Sequence, residues 1–189
     1  MVDNNSPLEK YPTNTKWILW YHNPSDKNWN LDSYYKLMEI NSINDFCILR
    51  NSWKDNLPHV TEGMFFFMRV KNEKIIYPRW EDRHNREGGY WSLKIEKELS
   101  EEMWFNLLML AIGETITNDN YNSENINGIS ISPKKHFCIL KIWNNDSTMN
   151  SYNLLNTDFF ENYKEIFLYS NHQNNISKDT QKKKFKRNY

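Results

Sequence analysis

The chain of 189 residues has only five glycines, and neither G-x-x-x-x-G-K nor G-x-G-x-x-G occurs in it. Without such loops there is no phosphate cradle at a helix N-terminus, and nucleotide hydrolysis is disfavoured. The two cysteines, Cys47 and Cys138, lack C-x-x-C partners, and the five histidines, His22, His59, His84, His136 and His172, lie far apart without metal-ligand spacing, so zinc is unsupported. A Cys/His dyad stays open, although both thiols sit in apolar runs, where a buried structural cysteine is the expected reading. Long apolar runs are missing and the mean hydropathy is -0.86, which leaves no segment able to cross a bilayer and predicts a soluble protein. The opening MVDNNSPLEKYPTNT has no apolar core for a secretory signal, and two unpaired cysteines suit a reducing compartment, so a cytoplasmic location is expected. An excess of either charge is also missing: 24 basic and 24 acidic side chains cancel, which argues against general attraction to long nucleic acid.

Asparagine and aromatic residues are plentiful. Asparagine clusters such as NDNYNSENING and NHQNN read as polar surface loops rather than chemistry. Aromatics make up 15% of the chain and include eight tryptophans, more than a small core ordinarily needs, so some are expected on a binding surface.

Along the chain, residues 1–15 read as an extended polar arm. KWILWYH (16–22) reads as a strand stopped by Asn23-Pro24, followed by a polar loop, SDKNWN, that holds Trp29. A second strand is expected over 34–40. Ser42 with Asp45 resembles a capping box opening a helix to about 53, with Ile43, Phe46, Leu49 and Trp53 on its apolar face. MFFFMRV (64–70) and KIIYPRW (74–80) read as paired strands, the second cut short or placed at an edge by Pro78, and EDRHNREGG as an exposed turn before the strand 90–96. Ser100 is the expected cap of a helix through 112, with Trp104, Leu107, Leu108 and Ala111 at helical spacing and Gly113 as its stop. A hairpin over 126–132 and 137–143, a helix over 154–165 and a strand over 166–170 complete the reading, and the polar-to-basic stretch from His172 predicts a mobile tail unless a ligand orders it. One α+β domain over 16–172 is expected, between an arm (1–15) and a basic tail (173–189): seven or eight antiparallel strands with about three helices on one face.

Three tryptophans, Trp29, Trp80 and Trp143, fall in loops or at strand ends, where ring faces can reach a flat ligand. For any one of them alone, capping the core from its edge is the simpler reading. Together with W-x-L-W-Y from Trp17, D-K-x-W ending at Trp29, P-x-W-E-D-x-x-N-x-x-G-G-x-W from Pro78, I-G-E from Ile112 and K-I-W ending at Trp143, the chain resembles the eukaryotic translation initiation factor 4E family over roughly residues 11–178. The resemblance implies a curved sheet with helices on its convex face and an mRNA cap slot on its concave side. In that slot a 7-methylguanine slides between Trp29 and Trp80, each stack contributing on the order of 1–3 kcal/mol. Methylation makes the base cationic, which adds roughly 0.5–2 kcal/mol per ring face over a neutral base. Glu81 would accept the guanine N1–H and N2–H, the Trp80 backbone N–H would hold O6, and Trp143 would pack against the methyl group. A base without those donors is rejected by up to about 10⁴-fold.

The same resemblance places Lys134 and His136 at phosphate-binding positions, while Ile139 stands where the family has a lysine and Tyr90 replaces another basic residue. Lys141, two residues from Trp143 and so on the same strand face, and Lys135 are candidates to compensate. Tyr169, His172 and Lys178 would approach the second nucleotide. Pro12, Ile43, Phe105 and Met109 keep the character of a surface that binds an initiation factor 4G-like scaffold, but Cys47 replaces a central tryptophan there, the loss of an anchor of about 2 kcal/mol or more. Trp53 either supplies a relocated anchor or packs the core. Trp17 and Trp29 resemble the translation-promoting class. The resulting expectation is a non-enzymatic cap-binding initiation factor, monomeric outside its complex and needing no metal or cofactor. The alternative is a repressor or mRNA-sequestering homologue without productive scaffold binding. A cap-processing enzyme lacks support, since neither clustered glutamates nor a glycine-rich cofactor loop is present.

Overall fold

The computed structural model describes residues 11–187, so the first ten residues of the expected arm and the last two of the expected tail lie outside them. Eight strands form one sheet: β1 (Pro12–His22), β2 (Tyr34–Ser42), β3 (Met64–Lys71), β4 (Lys74–Ile75), β5 (Gly89–Glu96), β6 (Ile126–Pro133), β7 (Phe137–Asn144) and β8 (Leu168–Asn171). The order is β2-β1-β3-β6-β7-β5-β8, with β4 paired to β3, and every pairing is antiparallel. The helices are α1 (Ile43–Asn56), α2 (Lys97–Ile112), α3 (Asn120–Ser123), α4 (Thr157–Phe160) and α5 (His172–Arg187). This is the α+β arrangement expected, an open curved sheet with helices packed on it.

Both faces of the sheet are covered, which is why its central strands read as unbroken apolar runs rather than alternating ones. On β1 and β3, Trp17, Leu19, Phe65 and Phe67 join Phe46, Leu49, Trp53, Trp104, Leu107 and Leu108 of α1 and α2 in the larger core. Their neighbours Ile18, Trp20, Phe66 and Met68 point the other way, into a smaller cluster with Tyr34 and Trp143. Gly128 lets β6 reach β3: a Cβ there would lie 2.8 Å from the Phe67 carbonyl oxygen.

Ser42 caps α1 as expected, its side chain accepting from the Asp45 N–H, while Asp45 accepts from the Asn41 N–H. Ile43 departs from the expected apolar face and is exposed. Cys138 is buried, but Cys47 is exposed, because its position on α1 turns away from the sheet. β1 starts at Pro12, four residues before the expected 16, since Pro12 pairs with Ser42 and the Tyr11 carbonyl accepts from the Ile43 N–H. α2 starts at Lys97 rather than at Ser100, whose hydroxyl donates back to the Lys97 carbonyl inside the first turn. Gly113 ends α2 in a right-handed conformation, and the left-handed residue is Glu114, φ 57°.

Three segments differ more. The strand expected over 74–80 shrinks to β4, because Pro78 has no N–H to donate and the side chains of Asp82 and Asn85 bond the Tyr77 N–H and carbonyl. The helix expected over 154–165 is α4 flanked by 3₁₀ turns at Tyr152–Leu154 and Glu161–Ile166, with Asn156 capping α4 through the Phe159 N–H, and β8 follows at 168 rather than 166. The tail expected to be mobile from His172 is α5, started by the Asn171 side chain accepting from the Gln173 N–H and rooted by the buried His172.

Candidate functional site

The smaller apolar cluster is the floor of a cavity of about 390 Å³ on the face opposite α1 and α2. Trp29, Trp80, Glu81, Lys134, Lys141 and Trp143, six residues expected in a site from sequence, all line it. They arrive from the β1–β2 loop, the loop after β4 and the β6–β7 hairpin, so strand order alone brings them together.

Trp29 is 49% exposed, unusual for an indole held by its neighbours. Its ring stacks on His22, the last residue of β1, at 4.2 Å between centroids and 6° between planes. His22 in turn donates from Nε2 to the Asn28 carbonyl, 2.8 Å away. The loop is shaped by successive side-chain turns: Asn23 accepts from the Ser25 N–H, Asp26 from Asn28 and Asn28 from Asn30. The asparagines of this loop therefore matter for the site. Asn or Asp at alternate positions around a tryptophan is the sequence signal for such turns.

Trp80 is half-buried, and Asp82 organises its loop by accepting from the His84 N–H and Nδ1, 2.8 and 3.0 Å. Glu81 is exposed beside it, with the Arg79 Nε 3.7 Å from its carboxylate. Trp143 is not the exposed strand-end ring expected: it is 2% exposed, donates from Nε1 to the Ser130 hydroxyl at 2.9 Å and meets Phe66 edge-on, so only part of the ring reaches the cavity. Tyr34, missed in the sequence because it reads as an ordinary strand residue, also lines the cavity, and burial pushes its phenol above the ordinary range, with Arg79 opposing and Glu81 adding to the shift.

Lys141 occupies the wall that Ile139 leaves uncharged. Its ammonium lies 4.0 Å from the Tyr90 ring centroid and 5.7 Å from that of Trp80. Burial pushes its pKa down to about 8, helped by repulsion from Lys134. Lys141 is still mostly protonated at neutral pH, and an arriving anion would favour that form. Tyr90, where the family pattern has a basic residue, thus holds one by its ring face.

Not every expected residue gathers here. Lys135 and His136 are exposed in the β6–β7 turn and do not line the cavity. Tyr169 lies on the opposite side of the sheet, edge-on to Trp91 at 5.3 Å and donating to Asn144, because its register with Trp91 turns it toward the helices. His172 is fully buried against Trp143 and Tyr90, at 5.0 and 5.5 Å, and Lys178 is exposed on α5, whose neighbouring Asp179 lines the cavity instead. On the helical face, Pro12, Ile43, Cys47 and Met109 are exposed, as is Ile48, while Phe105 is 4% exposed and packs edge-on against Trp53, 5.3 Å away. Trp53 is buried, which is the core reading of the two considered for it.

The family model described as Eukaryotic initiation factor 4E matches residues 12–187. Among curated relatives, "Eukaryotic translation initiation factor 4E" of Saccharomyces cerevisiae is 31% identical over 144 residues, covering 71% of this chain and 62% of its own, and that of Candida albicans is 29% identical over 147 residues, covering 72% and 66%. The chain thus spans 62–66% of the length of these two relatives. Among solved structures, C. elegans eIF4E-3 in complex with the 4E-binding protein Mextli and cap analog shares the fold, with a TM-score of 0.73, 22% identity and coverage of 89% of this chain and 96% of that one. Ascaris suum eIF4E-3 with m7G cap gives a TM-score of 0.69 at 22% identity, covering 87% and 92%. The family model spans nearly all of the described residues, from β1 through α5, and by that match the chain belongs to the eukaryotic translation initiation factor 4E family.

Proposed function

We propose that this protein is a non-enzymatic mRNA 5′ cap-binding factor acting in translation initiation. The observation that carries the reading is the convergence of two accessible indoles, Trp29 and Trp80, a carboxylate at Glu81 and the cations Lys134 and Lys141 on one cavity above an apolar floor. A cationic 7-methylguanine suits electron-rich ring faces, its N1–H and N2–H suit the Glu81 carboxylate, and the phosphates suit the lysines. Relatives described as translation initiation factor 4E, and neighbours solved with m7G cap, support the same assignment. Tryptophan fluorescence titration tests it: 7-methylguanosine triphosphate should quench strongly, and plain guanosine triphosphate should bind at least about 5-fold more weakly, given the cationic contribution at two ring faces. Equal affinity for the two ligands removes the selective clamp.

On the other face, exposed Ile43, Cys47, Ile48 and Met109 of α1 and α2, with Tyr11 and Pro12 beside α1, are suited to a helical scaffold segment of the initiation factor 4G type. A second reading has an observation of its own. Cys47 is exposed there but carries a thiol where the family resemblance expects an indole, so the protein would bind the cap and sequester mRNA without recruiting a scaffold. Retention of an initiation-scaffold fragment on the immobilised protein, restored or strengthened by Cys47→Trp, favours a factor with a weakened interface; no retention by either form favours the sequestering reading.

A further inference from the structure

The loop that carries Trp80 and Glu81 closes on itself through five backbone hydrogen bonds among residues 77–88, and its next buried residue, Asn85, is fully enclosed. The Asn85 side-chain NH₂ donates to two carbonyls of that loop, Tyr77 at 2.9 Å and Arg79 at 2.8 Å. Carbonyls only accept, so the orientation of this amide is fixed and its Oδ1 must face the other way. It faces Asn127 of β6, also fully buried, whose Nδ2 donates to Asn85 Oδ1 at 2.9 Å and to the His84 carbonyl at 2.7 Å. Asn127 Oδ1 is left without a partner among the described residues. A buried acceptor in that state is a standing cost that an apolar residue would avoid.

Asn127 also sits where β6 slips against β7: Ile126 pairs with Asn144 and Gly128 with Trp143, so Asn127 is the extra residue of a bulge. A bulge releases one side chain from the strand's alternation and re-aims it. Here the released side chain is aimed at the Trp80 loop.

We infer that Asn127 is a positioning residue for the base site: through Asn85 it fixes the backbone on both sides of Pro78 and hence the indole of Trp80 and the carboxylate of Glu81. The inference rests on the cap-binding reading for its functional consequence, but the clasp itself is a matter of loop order. Its test therefore uses two readouts on the whole chain, the affinities for 7-methylguanosine triphosphate and guanosine triphosphate, and hydrogen exchange of the amides of residues 79–88 without ligand.

Asn127→Ala should weaken methylated-ligand binding about 10- to 100-fold, the usual span for a lost buried hydrogen-bonding partner, and shrink the discrimination between the two ligands. The same loop amides should exchange faster. Asn85→Ala should do the same, and the double variant should bind no more weakly than the weaker single one, since both act in one clasp. Leu49→Ala, a core change on the helical side that lowers thermal stability, should leave affinity and loop exchange unchanged. Binding by Asn127→Ala within twofold of wild type, or unaltered loop exchange, overturns the inference, as does an equal affinity loss in Leu49→Ala. Failure of the wild-type protein to discriminate the two ligands sinks the cap-binding reading instead, and the exchange measurement then still decides whether the clasp orders the loop.

Discussion

Glu114→Gln is expected to destabilise the fold by about 3–5 kcal/mol, the cost typical of leaving one partner of a buried ion pair alone. Arg69 is 3% exposed on β3, with its guanidinium 4.4 Å above the Trp17 ring. It donates from Nη1 and Nη2 to the two carboxylate oxygens of Glu114 at 2.6 and 2.7 Å, and from Nε to the Ile126 carbonyl at 2.7 Å. Burial alone would raise the Glu114 pKa, but the Arg69 bond and charge and the hydroxyls of Ser123 and Thr15 outweigh it and hold the carboxyl below its usual range. These bonds also keep Glu114 in its left-handed conformation, an unusual one for a residue with a side chain. One carboxylate thus ties β1, β3 and α3 to the end of α2, and Arg69 extends the tie to the start of β6. A melting temperature lower by roughly 6–20 °C follows for a domain of this size. Arg69→Met together with Glu114→Gln should cost less than the sum of the two single changes, because no charge is left stranded. Thermal unfolding of the three variants checks this, and a Glu114→Gln protein within about 1 kcal/mol of wild type contradicts the buried-pair account.

Acidification should remove on the order of 3 kcal/mol of stability through His172 alone. The ring is buried against Trp143 and Tyr90, and its pKa falls to about 4, by burial first and by the charge of Lys141 second. The Gly89 backbone lies near enough to oppose the shift, yet neither ring nitrogen makes a well-formed hydrogen bond to the described residues. Because the folded-state value lies below the unfolded value of about 6.5, the unfolded chain binds the extra proton, and stability declines as pH falls from about 6.5 toward 4. His172→Phe keeps the apolar contacts and deletes the titration. Urea unfolding from pH 7 to pH 4 should show the acid loss smaller in His172→Phe by that amount, with little cost at pH 7. Parallel acid curves for the two proteins would show that His172 is not the titrating group.

The two networks explain why some of the structure was legible in residue order and some was not. The strands of the sheet were, because dense β-branched and aromatic runs between turn residues have few other uses, and so was the Ser42–Asp45 cap, whose chemistry is local. The tail was misread because composition alone favours a solvated chain there, whereas α5 is rooted by one histidine buried under Trp143 and Tyr90, a contact made across the sheet. For the segment 74–80 the early end implied by Pro78 was legible but its extent was not, because side chains of Asp82 and Asn85, downstream of it, take its backbone bonds.

For the site, the residue types and spacings around Trp29, Trp80, Glu81 and Trp143 were enough to nominate a clamp for a flat cation, since indoles among polar neighbours and an adjacent carboxylate are written in the chain itself. Which of the nearby cations face the clamp was decided by the fold. Lys134 and Lys141 line the cavity, whereas Lys135 and His136 are exposed in the turn between β6 and β7, and Tyr169 faces the helices because strand register assigns alternate side chains to opposite faces. The chain thus named the chemistry by its side chains, and the tertiary structure chose the participants, since distance and burial depend on pairing between segments remote in sequence.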